Sequence, residues 1–453
     1  MISPMSPTRR AVLGTLAAAS CNRVRGANDR VNIGFIGYGL IGAQHVHDFL
    51  RQDDANLTAV AEVYQPRLQQ GLEAIRAKPG MNPRGYSDFR RLLDDKDVDA
   101  VCISTPDHWH ALMSIMACAA GKDVFVEKPM TLFVREGRWM IDAARRHKRV
   151  VQVGTQQRSG PHYQAARRLI QQGHLGHITS VRMGAYRNVM PGFGRPEGPV
   201  PDGFDYDQWL GPAPKRPFSP HRGLYHFRWF WDYSGGQMTN QGAHDVDILL
   251  WILKQKGPLA VSSIGGRFAL QDDGETPDTQ DTLFRFPHST ATWSHREAAH
   301  GPVPPRGAYY YGTKGAMTIT REGFEITGDL NRPPENAIPT FRGHPQGGPR
   351  AAQRPPEPWI PPQTMPGSVQ EQFDIHTRNF LDCIKSRQRP VADVEDGHFT
   401  STACHLANIS LRLGRTLHWN PETEQIAGDP EATAMLERPY RAPWDTVLKS
   451  LIR

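Results

Sequence analysis

A chain of 453 residues, 38% hydrophobic and 22% charged, is long enough for two ordinary domains, each with a core of its own. Its net charge of +7 is spread over scattered residues and short pairs such as Arg90–Arg91 and Arg167–Arg168. Nucleic-acid binders concentrate basic charge and interleave aromatics, so nucleic acid is excluded as a partner. No stretch approaches the roughly 20 apolar residues that span a bilayer, and none of the five cysteines forms a CxxC pair suited to zinc or redox cycling.

Residues 1–28 form a targeting segment. In SPTRRAVLGTLAAASC, Arg9 and Arg10 precede a short run of small and apolar residues. That arrangement resembles a twin-arginine (Tat) signal, which exports proteins already folded. The expected location is the periplasm or the exterior, with a disordered cytoplasmic arm as the alternative. AAASC also makes a weak lipoprotein-type box that would lipidate Cys21.

The next element, VNIGFIGYGLIGAQHV, is a buried strand turning through Gly37, Tyr38, Gly39, Leu40, Ile41 and Gly42 into a helix. This is G-x-G-x-x-G between strand and helix. Gly37 permits the tight turn, Gly39 lets backbone approach a pyrophosphate, and Gly42 lets helix and strand pack closely. A second strand, LTAVAEV, places Glu62 twenty residues past Gly42. A carboxylate there accepts from ribose hydroxyls and repels a 2′-phosphate, so NAD is favoured over NADP, with Arg67 close enough to soften the preference. DVDAVCISTP and DVFVEKPM continue the alternation of strands and helices. The pattern predicts a doubly wound parallel sheet over residues 30–152.

Further on, residues 235–251 read GGQMTNQGAHDVDILLW. Val246, Leu249, Leu250 and Leu253 recur at helical spacing on one side, and Asn240, His244, Asp247 and Trp251 on the other. His244 and Asp247 lie at i, i+3, and His221 and His226 are nearby in sequence. With no H-E-x-x-H or comparable pair, the chain is assigned no metal. Residues 329–368 are rich in Pro, Gly, Arg and Gln and predict a long surface loop. SVQEQFDIHTRNFLDCIKS and GHFTSTACHLANISLRLG predict two helices, the second stopped at Gly414. Trp444 is expected to dock the tail.

GFIGYGLIG, STPDHWH, GKDVFVEKP and GGQMTNQGAHDVD occur in an order that resembles the glucose–fructose oxidoreductase and inositol dehydrogenase (Gfo/Idh/MocA) family. VVQVGTQQRS, QWLGPAPKRPF and RWFWDYSGG resemble one often-secreted branch of it. The resemblance implies a Rossmann domain followed by an α/β domain on an open, largely antiparallel sheet over 153–425, then a tail over 426–453. It implies cofactor contacts from Thr105, Pro106, His110, Glu127 and Lys128, with Lys128 reaching the nicotinamide ribose and the reacting hydroxyl. His244 matches the family's proton acceptor, with Asp247 three residues beyond. Asn240 departs from the family pattern, which has an Asp there; an amide cannot be an anionic partner for the imidazole, but it can hold a substrate hydroxyl or fix a tautomer.

Gln156, Arg158, Tyr186, Asn188 and Arg228 join His244 as candidate substrate contacts. The leading expectation is an NAD(P)-dependent oxidoreductase acting on CH–OH groups of a sugar, polyol or glycoside, with a tightly bound cofactor and a homo-oligomeric state, dimer or tetramer. The rivals are an NAD-dependent glycosidase working by transient oxidation and elimination, and a non-catalytic sugar or dinucleotide sensor.

Overall fold

The computed structural model describes residues 30–186, 197–220, 222–224, 226–298, 307–328 and 360–452. The segment 1–28, expected to be a targeting signal and containing Cys21, lies outside the described residues, as do the candidate Asn188, His221 and residues 329–359.

The first domain is a six-stranded parallel sheet. Its strands are β1 (Val31–Ile36), β2 (Ala55–Ala61), β3 (Arg84–Tyr86), β4 (Ala100–Ile103), β5 (Asp123–Val126) and β6 (Val151–Val153), in spatial order β3-β2-β1-β4-β5-β6. β4 (AVCI) and β5 (DVFV) are buried at every position, because helices cover both faces of the sheet. The strand order reverses between β1 and β4, which opens a crevice beyond their carboxyl ends.

The second domain is a ten-stranded sheet. It comprises β7 (Ile178–Tyr186), β8 (Ala260–Gly266), β9 (Thr279–Arg285), β10 (Thr290–Arg296), β11 (Gly307–Gly312), β12 (Gly315–Thr320), β13 (Gly323–Gly328), β14 (Gln363–Pro366), β15 (Leu417–Asn420) and β16 (Gln425–Ile426). The order is β14-β13-β12-β11-β7-β10-β9-β8-β15-β16, with β7 and β10 parallel and the other pairs antiparallel. Burial alternates along β10 and β13, as expected when helices pack on one face only. The helices Gly242–Leu253 and Val394–Leu413 form the centre of that packed face.

Three segments tie the domains together. Phe380 and Leu381, from the helix Val369–Ser386, enter the Rossmann core beside Phe49 and Phe125, while Arg378 and Lys385 pair with buried Asp54. In the tail, Trp444 packs edge-on against Trp109 at 4.9 Å, so it docks the C-terminus on the first domain. The third tie is an aromatic cluster between β7 and Gly236, which includes Phe204, Tyr206, Trp209, Phe218, Phe227, Trp229 and Tyr233. It is joined to the end of β2 by Asp205 N–H to Val63 O and Gln65 N–H to Gly203 O, both 2.9 Å. Its Trp209 carbonyl accepts from the Trp109 indole at 2.9 Å and lies 2.9 Å from His108 Nε2.

Candidate active site

The crevice between β1 and β4 is lined by Gly37, Gly39, Leu40, Ile41, Glu62, Arg67, Thr105, Pro106, Trp109, Trp209, Phe227 and Arg228. Gly37 has φ +89°, and a Cβ there would lie 2.9 Å from the Ser104 carbonyl oxygen. A Cβ on Gly42 would come within 2.5 Å of the Gly37 oxygen, so strand and helix can close on each other only if that residue is glycine. A Cβ on Gly39, in contrast, would meet only the tip of Arg67, at 3.9 Å, and Gly39 caps the helix Leu40–Leu50 with no side-chain bond. The first amides of that helix therefore remain available to an anion. These features fit a dinucleotide with its pyrophosphate at the turn.

Glu62 lines the crevice beyond the end of β2, where an adenosine ribose is expected. Its carboxylate accepts from the Tyr38 amide at 2.8 Å and the Tyr64 amide at 3.0 Å. Tyr38 itself packs against Gly71 and is absent from the crevice lining. It acts through its backbone.

At the other end the crevice continues into a cavity lined by Ile41, Thr105, His110, Glu127, Lys128, Gln156, Arg228, Asn240, His244 and Arg321, among others. His110 lies 2.7 Å from the Pro129 oxygen and 2.8 Å from the Thr105 oxygen, which joins the loops after β4 and β5. Burial pushes the Glu127 carboxyl up, but its hydrogen bond to His45, 2.7 Å long, and the charge of Lys128 hold it below the ordinary range.

Lys128 extends across the cavity and donates to both the Asn240 backbone oxygen and its Oδ1, each at 3.1 Å. A break in the helix makes this contact possible. Residues 236–253 form two helices, Gly236–Asn240 and Gly242–Leu253, and the His244 amide bonds the Gln241 oxygen. The Asn240 carbonyl is thereby spared for the lysine. Burial, opposed by Glu127 and reinforced by Arg228 and Arg321, brings the Lys128 ammonium down to about 8.

His244 is buried, and its Nδ1 is sealed without a hydrogen-bond partner, which leaves Nε2 as the nitrogen open to the cavity. Burial, with the charges of Lys128 and Arg321, holds its pKa well below the ordinary imidazole value, so the ring is a neutral base.

Two expected site residues lie elsewhere. Asp247 and Arg158 form a buried ion pair, Arg158 Nε to Asp247 Oδ2 at 2.8 Å, and neither lines the cavity. Asp247 also accepts from Thr400 at 3.0 Å, while Arg158 reaches Asp396 at 3.0 Å. The supposed polar stripe therefore splits: Asn240 and His244 face the cavity, whereas Asp247 and Trp251 turn into the protein. Asn240 likewise serves Lys128, not the imidazole. Tyr186 closes β7, and Gln156 and Arg228 line the cavity as expected.

Arg321 was not foreseen. It lies on the β12–β13 turn, far from every motif in the chain, and only the sheet topology brings it to the site. Among the described residues no group of three His, Cys, Asp or Glu side chains is placed to hold a metal ion.

Known proteins share this architecture. Residues 31–155 match the oxidoreductase family, NAD-binding Rossmann fold, and residues 163–265 and 365–446 match the C-terminal α/β domain of the same family. An alpha-N-acetylgalactosaminidase of Shewanella oneidensis is 34% identical over 149 residues, as is a glycosyl hydrolase family 109 protein of Shewanella baltica. Each alignment covers 32% of this chain and 31% of the relative, so the chain matches under a third of these relatives' length. The fold is shared with the WlbA dehydrogenase of Bordetella pertussis, solved with NADH and UDP-GlcNAcA. That match has a TM-score of 0.62 at 18% identity and covers 86% of this chain and 99% of that one. A levoglucosan dehydrogenase solved with NADH and levoglucosan gives 0.63 at 19% identity, over 85% and 98%. With both domain families matched in order and a dinucleotide crevice meeting a half-buried lysine and a neutral histidine, the chain belongs to the Gfo/Idh/MocA family of NAD-binding oxidoreductases.

Proposed function

We propose that the protein oxidises a hydroxyl of a sugar, polyol or glycoside at the Lys128–His244 cavity, using tightly held NAD. The observation that carries this is the Lys128 ammonium, anchored on Asn240 beside a neutral, buried imidazole at the end of the dinucleotide crevice. NAD, when bound, supplies a two-electron acceptor. His244 Nε2 takes the hydroxyl proton, and the lysine cation stabilises the oxygen as negative charge develops. Arg228 and the aromatic cluster keep water from the crevice.

The test is a sugar and polyol panel read at the reduced-nicotinamide absorbance, with Lys128→Ala and His244→Ala alongside. Each variant should lose about a hundredfold or more in turnover while keeping its NAD. Full activity in either variant would remove that residue from the mechanism.

A second reading is favoured by the curated relatives, which are glycosyl hydrolases. In a redox-neutral cycle the same two residues serve a transient oxidation that is later reversed. Aglycone release from an aryl glycoside without net NADH would select this reading.

Two further proposals concern setting. The open face of the ten-stranded sheet carries exposed Ile264 (71%) and Leu283 (45%) with Tyr311, a composition suited to burial against a second copy. Light scattering of Leu283→Lys against the parent protein tests that pairing. The twin-arginine segment directs export to the periplasm, which fusion of residues 1–28 to a reporter tests.

A further inference from the structure

Arg321 is a cation without an anion. The turn that carries it is fixed from several directions. The Thr320 oxygen lies 3.0 Å from His162 Nε2, the Arg321 oxygen accepts from Gln372 at 2.9 Å, and the Glu322 oxygen accepts from the Gly367 amide at 2.7 Å. Among the described residues the Arg321 side chain makes no hydrogen bond or ion pair, even with neighbouring Glu322. The carboxylates on the Lys128 cavity are engaged elsewhere, Glu127 with His45 and Asp107 with Ser234. Arg321 thus reaches the cavity beside the Lys128 ammonium with no carboxylate among the described residues bonded to it.

Arg321 also borders a second cavity, lined by Gln157, Tyr163, Asp245 and Ala308, and shares that wall with Gln241 and His244. A half-buried guanidinium beside the Lys128 ammonium, bonded to neither Asp245 nor Glu322 of the second cavity, is open to a ligand that brings a negative charge. Its planar fork matches a carboxylate by two parallel hydrogen bonds.

We propose that Arg321 receives a carboxylate on the substrate, so that the substrate is an acidic sugar or its glycoside. The proposal rests on the carbohydrate reading of the cavity and names its chemical class. With Asp245 and Glu322 on the second cavity, a single guanidinium suits a singly charged carboxylate better than a phosphate monoester, which brings about two negative charges. The cofactor's own phosphates would be held at the glycine turn, by Gly37, Gly39 and the first amides of the helix Leu40–Leu50. With the acid on Arg321, the sugar ring lies between the two cavities and presents a hydroxyl to His244 and Lys128.

The test uses full-length, NAD-loaded protein and matched pairs: methyl glucuronide against methyl glucoside, methyl galacturonide against methyl galactoside, with glucose 6-phosphate as a further arm. Calorimetry should give at least one acid an affinity about tenfold or more above its neutral partner. Arg321→Gln should bring that ratio to about one while retaining NAD and the parent melting temperature, and Arg321→Lys should restore part of it. Equal or tighter binding of the neutral sugars, no binding by any acid, a preference that survives in Arg321→Gln, or stronger binding of the phosphate would each overturn the proposal. Cofactor reduction and aglycone release are read in parallel. Arg321-dependent binding of an acid without either would reject the redox reading and leave the carboxylate subsite standing.

Discussion

Lys128 is held by two oxygens of a single residue, and this sets how the site responds to pH. The ammonium form donates to Asn240 and meets the developing negative charge; the neutral amine cannot stabilise that charge. Turnover should therefore be fully present below the Lys128 pKa and fall as pH rises through about 8. The ascending limb belongs to His244 and should lie well below pH 6.5. Asn240→Asp replaces an amide oxygen with a carboxylate at the lysine, which stabilises the ammonium, so the alkaline limb should move upward in a pH profile of kcat/KM. An unmoved limb would show that Asn240 does not govern the lysine. At the opposite end, Glu62→Ala should weaken NAD more than NADP in a binding titration, because only NAD loses an acceptor for its ribose diol. The variant also frees the Tyr38 and Tyr64 amides, so some loss for both cofactors is expected; equal losses would exclude Glu62 as the discriminator. Glu62, Lys128 and His244 were legible because local motifs place them. The service of Asn240 to Lys128 was not, because its partner is remote in the chain and the contact needs a helix break.

The elements differ in how far they declare themselves. The strands around β1 and β4 are short apolar runs punctuated by glycine and proline, and such signals are local. The segment 236–253 is less transparent, since a helix packed on all sides has no solvent face to set a period. Its Asp247 looked like a neighbour of His244 but belongs to Arg158, which is only 2% exposed and bonded to it at 2.8 Å. Removing Asp247 leaves the buried Arg158 guanidinium with only the half-exposed Asp396. Asp247→Ala should destabilise the fold by about 3–5 kcal/mol in chemical denaturation, whereas an effect confined to turnover would return Asp247 to the chemistry.

For the molecule as a whole, the aromatic cluster and the returning helices bind the two domains around the crevice. The cluster is pinned to β2 through Val63 and Gln65 and to the helix Asp107–Ala119 through Trp109. Phe204, Trp209 and Phe227 of this cluster line the crevice, so NAD should remain through extended dialysis; multiple turnovers that depend on added NAD would contradict this. Retention would serve the export proposed from the twin-arginine segment, since free dinucleotide is scarce outside the cytoplasm. None of these ties is visible in sequence periodicity, because each joins segments that hydropathy treats as separate loops and helices.

The Trp109 and Trp209 indoles form part of the crevice wall, and Trp444 packs edge-on against the first of them. Reduced nicotinamide absorbs in the band where tryptophan emits, and the oxidised form does not. The protein therefore contains its own optical gauge of the electrons held in the crevice. Tryptophan emission followed through a single turnover should fall as the cofactor is reduced. A drop that persists signals net dehydrogenation, a drop that recovers while aglycone is released signals a closed cycle, and unchanged emission in a turnover that reduces the cofactor would mean that the nicotinamide lies beyond the reach of these indoles.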